Sequence, residues 1–138
     1  LLEATRKKAV FLEQAAGELG LANVKVLCAR AEEAGRNPAH RGRYDAAVVR
    51  AVGSLAELVE LGIPLLKDKC LLLAVKGVGA DEDVRTASRA LQLLKARVES
   101  VRTAGEGDAS SWIVTARKTG PTPAAYPRLP GMPKKTPL

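Results

Sequence analysis

Lys69-Cys70-Leu71-Leu72-Leu73-Ala74-Val75-Lys76 places an unbroken apolar run between two lysines. A run of this kind, with no polar alternation, is what a strand covered on both faces looks like, and such strands belong to parallel sheets flanked by helices. Tyr44-Asp45-Ala46-Ala47-Val48-Val49-Arg50 reads as a second strand, apolar on both faces at its centre. Leu1-Leu2-Glu3 reads as the end of another buried strand, and Val24-Lys25-Val26-Leu27-Cys28 as a short β-branched one. Helical spacing separates them. From Arg6 to Leu21 the apolar positions Phe11/Leu12, Ala15/Ala16 and Leu19 recur on one face, with Thr5 as a cap and Gly20 as the stop. Ser54 caps a helix that runs to about Leu61 or Leu66, and Asp81 to Ala96 is a third helix with acids in its first turn. Val98–Thr103 and Trp112–Arg117 are two late strands that Gly105, Gly107 and Asp108 would join as a hairpin. Strands alternating with helices define an α/β fold.

The chain has 138 residues, 46% hydrophobic and 27% charged, which is the composition of one globular domain. No apolar run approaches the ~20 residues of a membrane helix. Leu1 to Lys8 is no secretory signal, and without an initiator Met the chain reads as a piece of something longer. Cys28 and Cys70 lie in apolar runs with no CxxC partner, as reduced thiols do in a cytosol-like compartment. A single histidine, His40, argues against a metal centre or a His-based triad, and four aromatics argue against a base-stacking platform. The net charge of +7 is uneven: residues 117–138 carry Arg117, Lys118, Arg128, Lys134 and Lys135 and no acid, leaving 17 bases against 15 acids upstream. An anionic partner would meet that end, and nucleic acid is the simplest candidate; a merely solvated basic tail is the alternative. Six of the eight prolines fall in residues 121–137, so the tail is expected to be extended and irregular. Residues 1–118 form the domain and 119–138 the Pro-rich basic tail.

Ligands of parallel α/β sheets bind beyond the carboxyl ends of the strands. Three strand ends here carry polar residues, Glu3, Arg50 and Lys76, and are expected on one rim. Glu3 suits a ribose diol, since its two oxygens match two adjacent hydroxyls; a helix N-terminal charge is its commoner role. Ala31 and Glu32 are placed to contact an adenine ring, the alternative being that Glu32 and Glu33 form a solvated acidic turn. Arg50 suits a phosphate or carboxylate held by two parallel hydrogen bonds, or else an ion pair with Glu3, Glu32 or Asp45. Lys76-Gly77 offers a point charge and a close backbone approach, or only a strand end and a turn. No GxGxxG loop follows any strand; Gly77-Val78-Gly79 is a fragment of one.

Several motifs resemble those of a known family in the same order: Leu1-Leu2-Glu3-Ala4-Thr5-x-Lys7-Lys8-x-x-Phe11-Leu12, Ala29-Arg30-Ala31-Glu32-Glu33, Tyr44 through Val52, Ala74-Val75-Lys76-Gly77, and Tyr126-Pro127-Arg128-Leu129-Pro130-Gly131-Met132-Pro133-Lys134-Lys135-Thr136-Pro137-Leu138. The family is the ribosomal RNA small-subunit methyltransferase G family, also called glucose-inhibited division protein B. The resemblance implies a Rossmann-like class I S-adenosylmethionine-dependent methyltransferase fold, lacking the first strand and glycine-rich loop. It implies methylation of N7 of a guanine in 16S ribosomal RNA, with S-adenosylmethionine as cofactor, no metal, and the RNA or a small-subunit assembly intermediate as partner of a monomer in the cytoplasm or a plastid. Carried over by motif, Glu3, Ala4 and Thr5 touch the cofactor ribose, Ala31 and Glu32 the adenine, and Arg50 lies beside cofactor and RNA as the catalytic-site residue. Lys76, Arg128, Lys134 and Lys135 are the expected RNA contacts. In the family the first strand lies between those ending at Glu3 and Arg50. Without it, backbone groups left unpaired and buried would cost on the order of ~1–3 kcal/mol each. The piece alone is therefore expected to bind cofactor weakly and fold poorly, and micromolar binding by calorimetry would overturn that expectation.

Two other classes remain. A non-catalytic RNA- or ribosome-binding remnant would use the basic tail and bind RNA in a salt-sensitive, cofactor-independent way. A nicotinamide-dependent enzyme would require a GxGxxG loop before Leu1.

Overall fold

The computed structural model describes residues 1–50, 53–77, 79–103 and 111–138. Its first elements are β1 (Leu2–Glu3), α1 (Arg6–Glu18), β2 (Leu27–Cys28), α2 (Ala31–Arg36), β3 (Tyr44–Arg50) and α3 (Leu55–Gly62). A 3-10 turn (Ile63–Leu65) leads into β4 (Leu66–Lys76), followed by α4 (Ala80–Thr86), α5 (Ser88–Leu93), β5 (Ala96–Thr103), β6 (Trp112–Lys118) and α6 (Met132–Lys135). β4 organises the larger sheet, whose order is β3-β4-β6-β5. It pairs in parallel with β3, Val48 opposite Leu73, and antiparallel with β6, Ala74 opposite Val114. β5 and β6 are antiparallel, as the hairpin reading expects; Gly105, Gly107 and Asp108 lie outside the described residues. β1 and β2 form a separate parallel pair, so hydrogen bonding among the described strands stops between β1/β2 and β3.

One face of the four-stranded sheet is packed. Leu72, Ala74, Val114 and Ala116 meet Leu55, Leu58, Val59 and Ile63, together with Ala87, Ala90, Leu91 and Leu94 of the α4–α5 segment. Gly62 sits so close to the sheet that an added Cβ would lie 2.7 Å from Leu72 Cδ1. The opposite face, carrying Val48, Leu71, Leu73 and Val75, is only partly covered, and Val48 is 72% exposed. This corrects the expectation of strands buried on both faces: β3 is an edge strand here, and continuous apolarity does not reveal how many layers cover it. On α1 the apolar positions Phe11 and Leu19 are likewise exposed and only Ala9 is buried.

Local chemistry explains most of the element ends. Ser54 Oγ accepts from the Glu57 amide at 3.2 Å and caps α3. α1 stops three residues earlier than expected, with Gly20 in the left-handed region (φ +66°) and Leu21 N–H returning to the Ala16 carbonyl at 2.9 Å. Only Leu27 and Cys28 of the expected 24–28 strand are paired. β4 starts four residues before Cys70, because Lys69 at φ +68° and a register shift opposite Tyr44/Ala46 let the polar Lys67-Asp68-Lys69 segment stay in the strand. The single helix expected over 81–96 is two. Thr86 Oγ1 donates back to the Glu82 and Asp83 carbonyls at 3.1 Å, the chain breaks at Ala87, and Lys95 (φ +56°) turns it into β5 at Ala96.

The Pro-rich tail, expected to be extended and irregular, holds only the short α6 and is pinned to the helix layer. Glu60 of α3 is wholly buried, and its carboxylate receives Arg128 Nε at 2.8 Å, Nη2 at 2.6 Å and the Arg128 amide at 2.8 Å. This pairing raises the Arg128 guanidinium further above its ordinary pKa. Arg41 donates to the Tyr126 carbonyl at 2.7 Å and the Thr122 carbonyl at 2.8 Å, and Arg36 to the Pro127 carbonyl at 2.7 Å. Burial, with Arg36 nearby, lowers the Arg41 guanidinium pKa.

Two substitutions test this packing. Gly62→Ala should destabilise by about 1–3 kcal/mol through overpacking against Leu72. Arg128→Ala should cost on the order of 3 kcal/mol by stranding the Glu60 carboxylate. Urea midpoints compared with the parent protein measure both.

Candidate functional site

β1 and β2 run parallel and end together, Glu3 opposite Cys28, with the Ala29 amide donating to the Glu3 carbonyl at 3.1 Å. The segments leaving the two strands therefore meet at one edge: Ala4 and Thr5, both exposed, beyond β1, and half-buried Ala31 with buried Glu32 at the start of α2 beyond β2. The structure thus brings together the five residues expected around an adenosine. The Glu3 side chain is fixed by its own turn, Oε1 accepting from the Thr5 amide at 2.7 Å. That bond, with a further contribution from the Lys8 charge, holds the Glu3 carboxyl below the usual glutamate range. The Thr5 side chain and the Ala4 backbone add to the same effect, so the Glu3 carboxylate sits within the turn it caps. Glu33 is exposed, as the solvated alternative expects, and its carboxylate also accepts from the Arg30 amide at 3.2 Å at the head of α2.

Glu32 is only 7% exposed, and its Oε1 accepts from the Gly131 amide of the tail at 2.8 Å. Among the described residues its Oε2 is unbonded, which leaves one acceptor for an exocyclic amine. This edge therefore carries two carboxylates, the exposed Glu3 and the buried Glu32, acceptors of the kind that hydroxyl and amine groups of an adenosine require.

Arg50 and Lys76 end β3 and β4 on the larger sheet, Arg50 opposite Val75. The exposed Arg50 side chain makes no hydrogen bond or ion pair among the described residues. Each ion-pair partner weighed for it is engaged elsewhere: Glu3 with Thr5, Glu32 with Gly131, and Asp45 with Lys67 at 2.7 Å. The Lys76 side chain is only 9% exposed, and Nζ pairs with Asp83 at 2.8 Å and donates to the Gly53 carbonyl, so it fastens β4 to α4 and to Gly53, and an RNA contact there would have to compete with Asp83. Arg128 is similarly engaged by Glu60, so an RNA contact there would have to compete with a buried carboxylate. Lys134 and Lys135 are exposed on α6. No strand pairing joins the Glu3 edge to the Arg50 edge among the described residues.

Sequence reasoning missed Glu60, Arg36 and Arg41. An acid inside the apolar stretch Leu55-Ala56-Glu57-Leu58-Val59-Glu60-Leu61, with no base three or four residues away, was the available signal for Glu60. The two arginines bind carbonyls, which leave no trace in side-chain patterns. The described residues contain no group of three or more His, Cys, Asp or Glu able to hold a metal, and no helix long and apolar enough to cross a membrane.

Solved structures with this fold include TYW2 from M. jannaschii in complex with AdoMet (TM-score 0.59, 13% identity, covering 83% of this chain and 53% of that one). A SAM-dependent O-methyltransferase from Thermotoga maritima gives 0.58 at 15% identity, over 88% of this chain and 50% of that one. The [4+2]-cyclase SpnF gives 0.61 at 12% identity, over 88% and 65%. The fold is therefore that of the class I S-adenosylmethionine-dependent methyltransferases. Residues 1–112 match the family model for rRNA small subunit methyltransferase G, and the chain belongs to that family. A relative named ribosomal RNA small subunit methyltransferase G from Pelotomaculum thermopropionicum is 43% identical over the whole of this chain and 59% of its own length. The one from Synechococcus elongatus is 42% identical over 58% of its length. The chain thus spans a little under three-fifths of the length of these relatives.

The depressed Glu3 pKa carries a sign. A carboxyl lowered in the folded state adds stability above its unfolded pKa, and that contribution disappears as pH falls through the folded value. A carbon-detected NMR titration should place the Glu3 midpoint below that of an ordinary glutamate, and Thr5→Pro, which deletes the donor N–H, should return it upward.

Proposed function

We propose that the protein transfers a methyl group from S-adenosylmethionine to N7 of a guanine in 16S ribosomal RNA, acting as a cytoplasmic monomer on the RNA or on a small-subunit assembly intermediate. The observation that supports this reading is the strand-end Glu3, its carboxylate bonded by the Thr5 amide, at the same end of the parallel β1–β2 pair from which the chain enters Ala31 and Glu32, in a chain of the methyltransferase G family. When bound, the cofactor supplies an electrophilic methyl on a sulfonium. Held by Glu3, Ala4, Thr5, Ala31 and Glu32, it would supply that methyl to the N7 lone pair and would leave as a neutral thioether, with the positive charge passing to the guanine. N7 carries no proton, so no general base is required, which agrees with a site that offers no histidine or cysteine nucleophile among its candidate residues. The work left to the chain is binding and orientation.

In this reading Glu3 accepts from the ribose, with Ala4 and Thr5 against the sugar, and Ala31 and Glu32 hold the adenine. Arg50 takes a phosphate of the RNA or the cofactor carboxylate through its paired donors. The usual arginine contact with guanine O6 and N7 is unsuitable for it, since N7 must face the methyl group. The target base must leave its stack to reach the site. Lys134 and Lys135, exposed on α6, meet the RNA backbone.

In the full-length enzyme, Glu3→Ala and Arg50→Ala should each lower methyl transfer to 16S RNA by at least about 100-fold while leaving the circular dichroism spectrum unchanged; each removes a charge-assisted contact of the strong kind. Wild-type turnover in either variant would refute the site assignment. RNA binding with no cofactor binding at all would instead favour the non-catalytic remnant.

A further inference from the structure

The tail is more ordered than its composition suggests, and one of its anchors belongs to the proposed cofactor site. Gly131, at φ +85°, opens α6, and its amide donates to Glu32 Oε1. α6 then buries Pro133 and turns Lys134 and Lys135 to solvent. A non-glycine residue is strained at that φ, so the direction in which α6 leaves the protein is set by the local conformation of Gly131 and the acceptor that holds it. That acceptor is Glu32, adjacent to Ala31 in the turn assigned to the adenine.

We propose that Glu32 is a positioning residue for RNA: it seats the tail at Gly131 so that Lys134 and Lys135 present a fixed pair of cations to the phosphate backbone. The inference rests on the proposed function, in which this tail faces the RNA. A cation already held in place loses less conformational freedom when it meets a phosphate than one on a loose arm. The two roles of Glu32 use different oxygens, Oε1 for the tail and Oε2 for the adenine amine, so one carboxylate joins the cofactor edge to the RNA edge. Arg36 on the Pro127 carbonyl and Arg41 on the Tyr126 carbonyl hold the approach to this joint.

The experiment measures binding of 16S RNA to the protein without cofactor, across a salt series, alongside hydrogen exchange at the Gly131 to Lys135 amides. Glu32→Ala should weaken RNA binding about tenfold, the loss expected when a bond to a charged acceptor is removed, and should speed exchange at Gly131. Glu32→Gln retains a carbonyl for the Gly131 N–H, and both readouts should stay within about twofold of the parent, while adenine recognition suffers because the amide can present its NH2 to the amine. Lys134→Ala/Lys135→Ala should weaken RNA binding and flatten its salt dependence by about two counter-ions without changing exchange. If Glu32→Ala fails to fold, Gly131→Ala makes the same prediction, since a side chain is strained at φ +85° and displaces the amide from Glu32. Unchanged exchange and unchanged RNA affinity in Glu32→Ala would overturn the proposal. Faster exchange in Glu32→Ala together with an inert double lysine variant would overturn the RNA-facing reading of the tail and leave only the anchor.

Discussion

A carboxylate with no exposed surface must be partnered or it destabilises the fold, and Glu60 meets that requirement by drawing the C-terminal segment onto α3. Three donors from Arg128 converge on it. Once residue 128 is fixed there, the preceding segment runs past Arg36 and Arg41, and the following one reaches Glu32 at the head of α2. The helix layer and the tail are consequently one packed unit, and the edge carrying Ala31 and Glu32 is supported from behind by chain that is about a hundred residues distant in sequence.

The larger sheet solves a different problem. β4 is hydrogen-bonded on both sides, and the side chains it shares with β6 form the floor under α3 and α5. Its far face holds Leu71, Leu73 and Val75 in partial cover, next to the exposed Val48 of β3. Arg50 follows Val48 on that same face, since side chains alternate along a strand, so its guanidinium, unbonded among the described residues, and the open apolar strip lie together. The cyclase among the similar structures shows that this architecture does not dictate a single chemistry, and the residues at the strand ends must carry the functional argument.

Much of the molecule is legible in its letters. The run 70–76, the strand 44–50 and the Ser54 cap read directly as structure, because continuous apolarity and a hydroxyl before a helix each act locally. Glu3 reads correctly as a strand-end acid, and the structure adds the Thr5 amide that fixes it. Lys76 reads as a surface cation because nothing in its neighbourhood names Asp83, seven residues on, as its partner. The break of the 81–96 helix depends on a hydroxyl folding back onto carbonyls, a competition that periodicity does not register. The tail reads as extended and irregular from its six prolines, but its attachment is not legible: carbonyls, which every residue keeps, are what Arg36 and Arg41 grasp.

That mode of attachment has an evolutionary consequence. Arg36 and Arg41 hold Thr122, Pro123, Ala125, Tyr126 and Pro127 by main-chain oxygens, which every amino acid possesses. The exposed side chains of Pro123, Ala124 and Ala125 are therefore under little obligation to the anchor, and substitutions that respect the backbone path can accumulate there while the two arginines stay put. The stretch should drift faster among descendants than the pair of guanidinium groups beneath it.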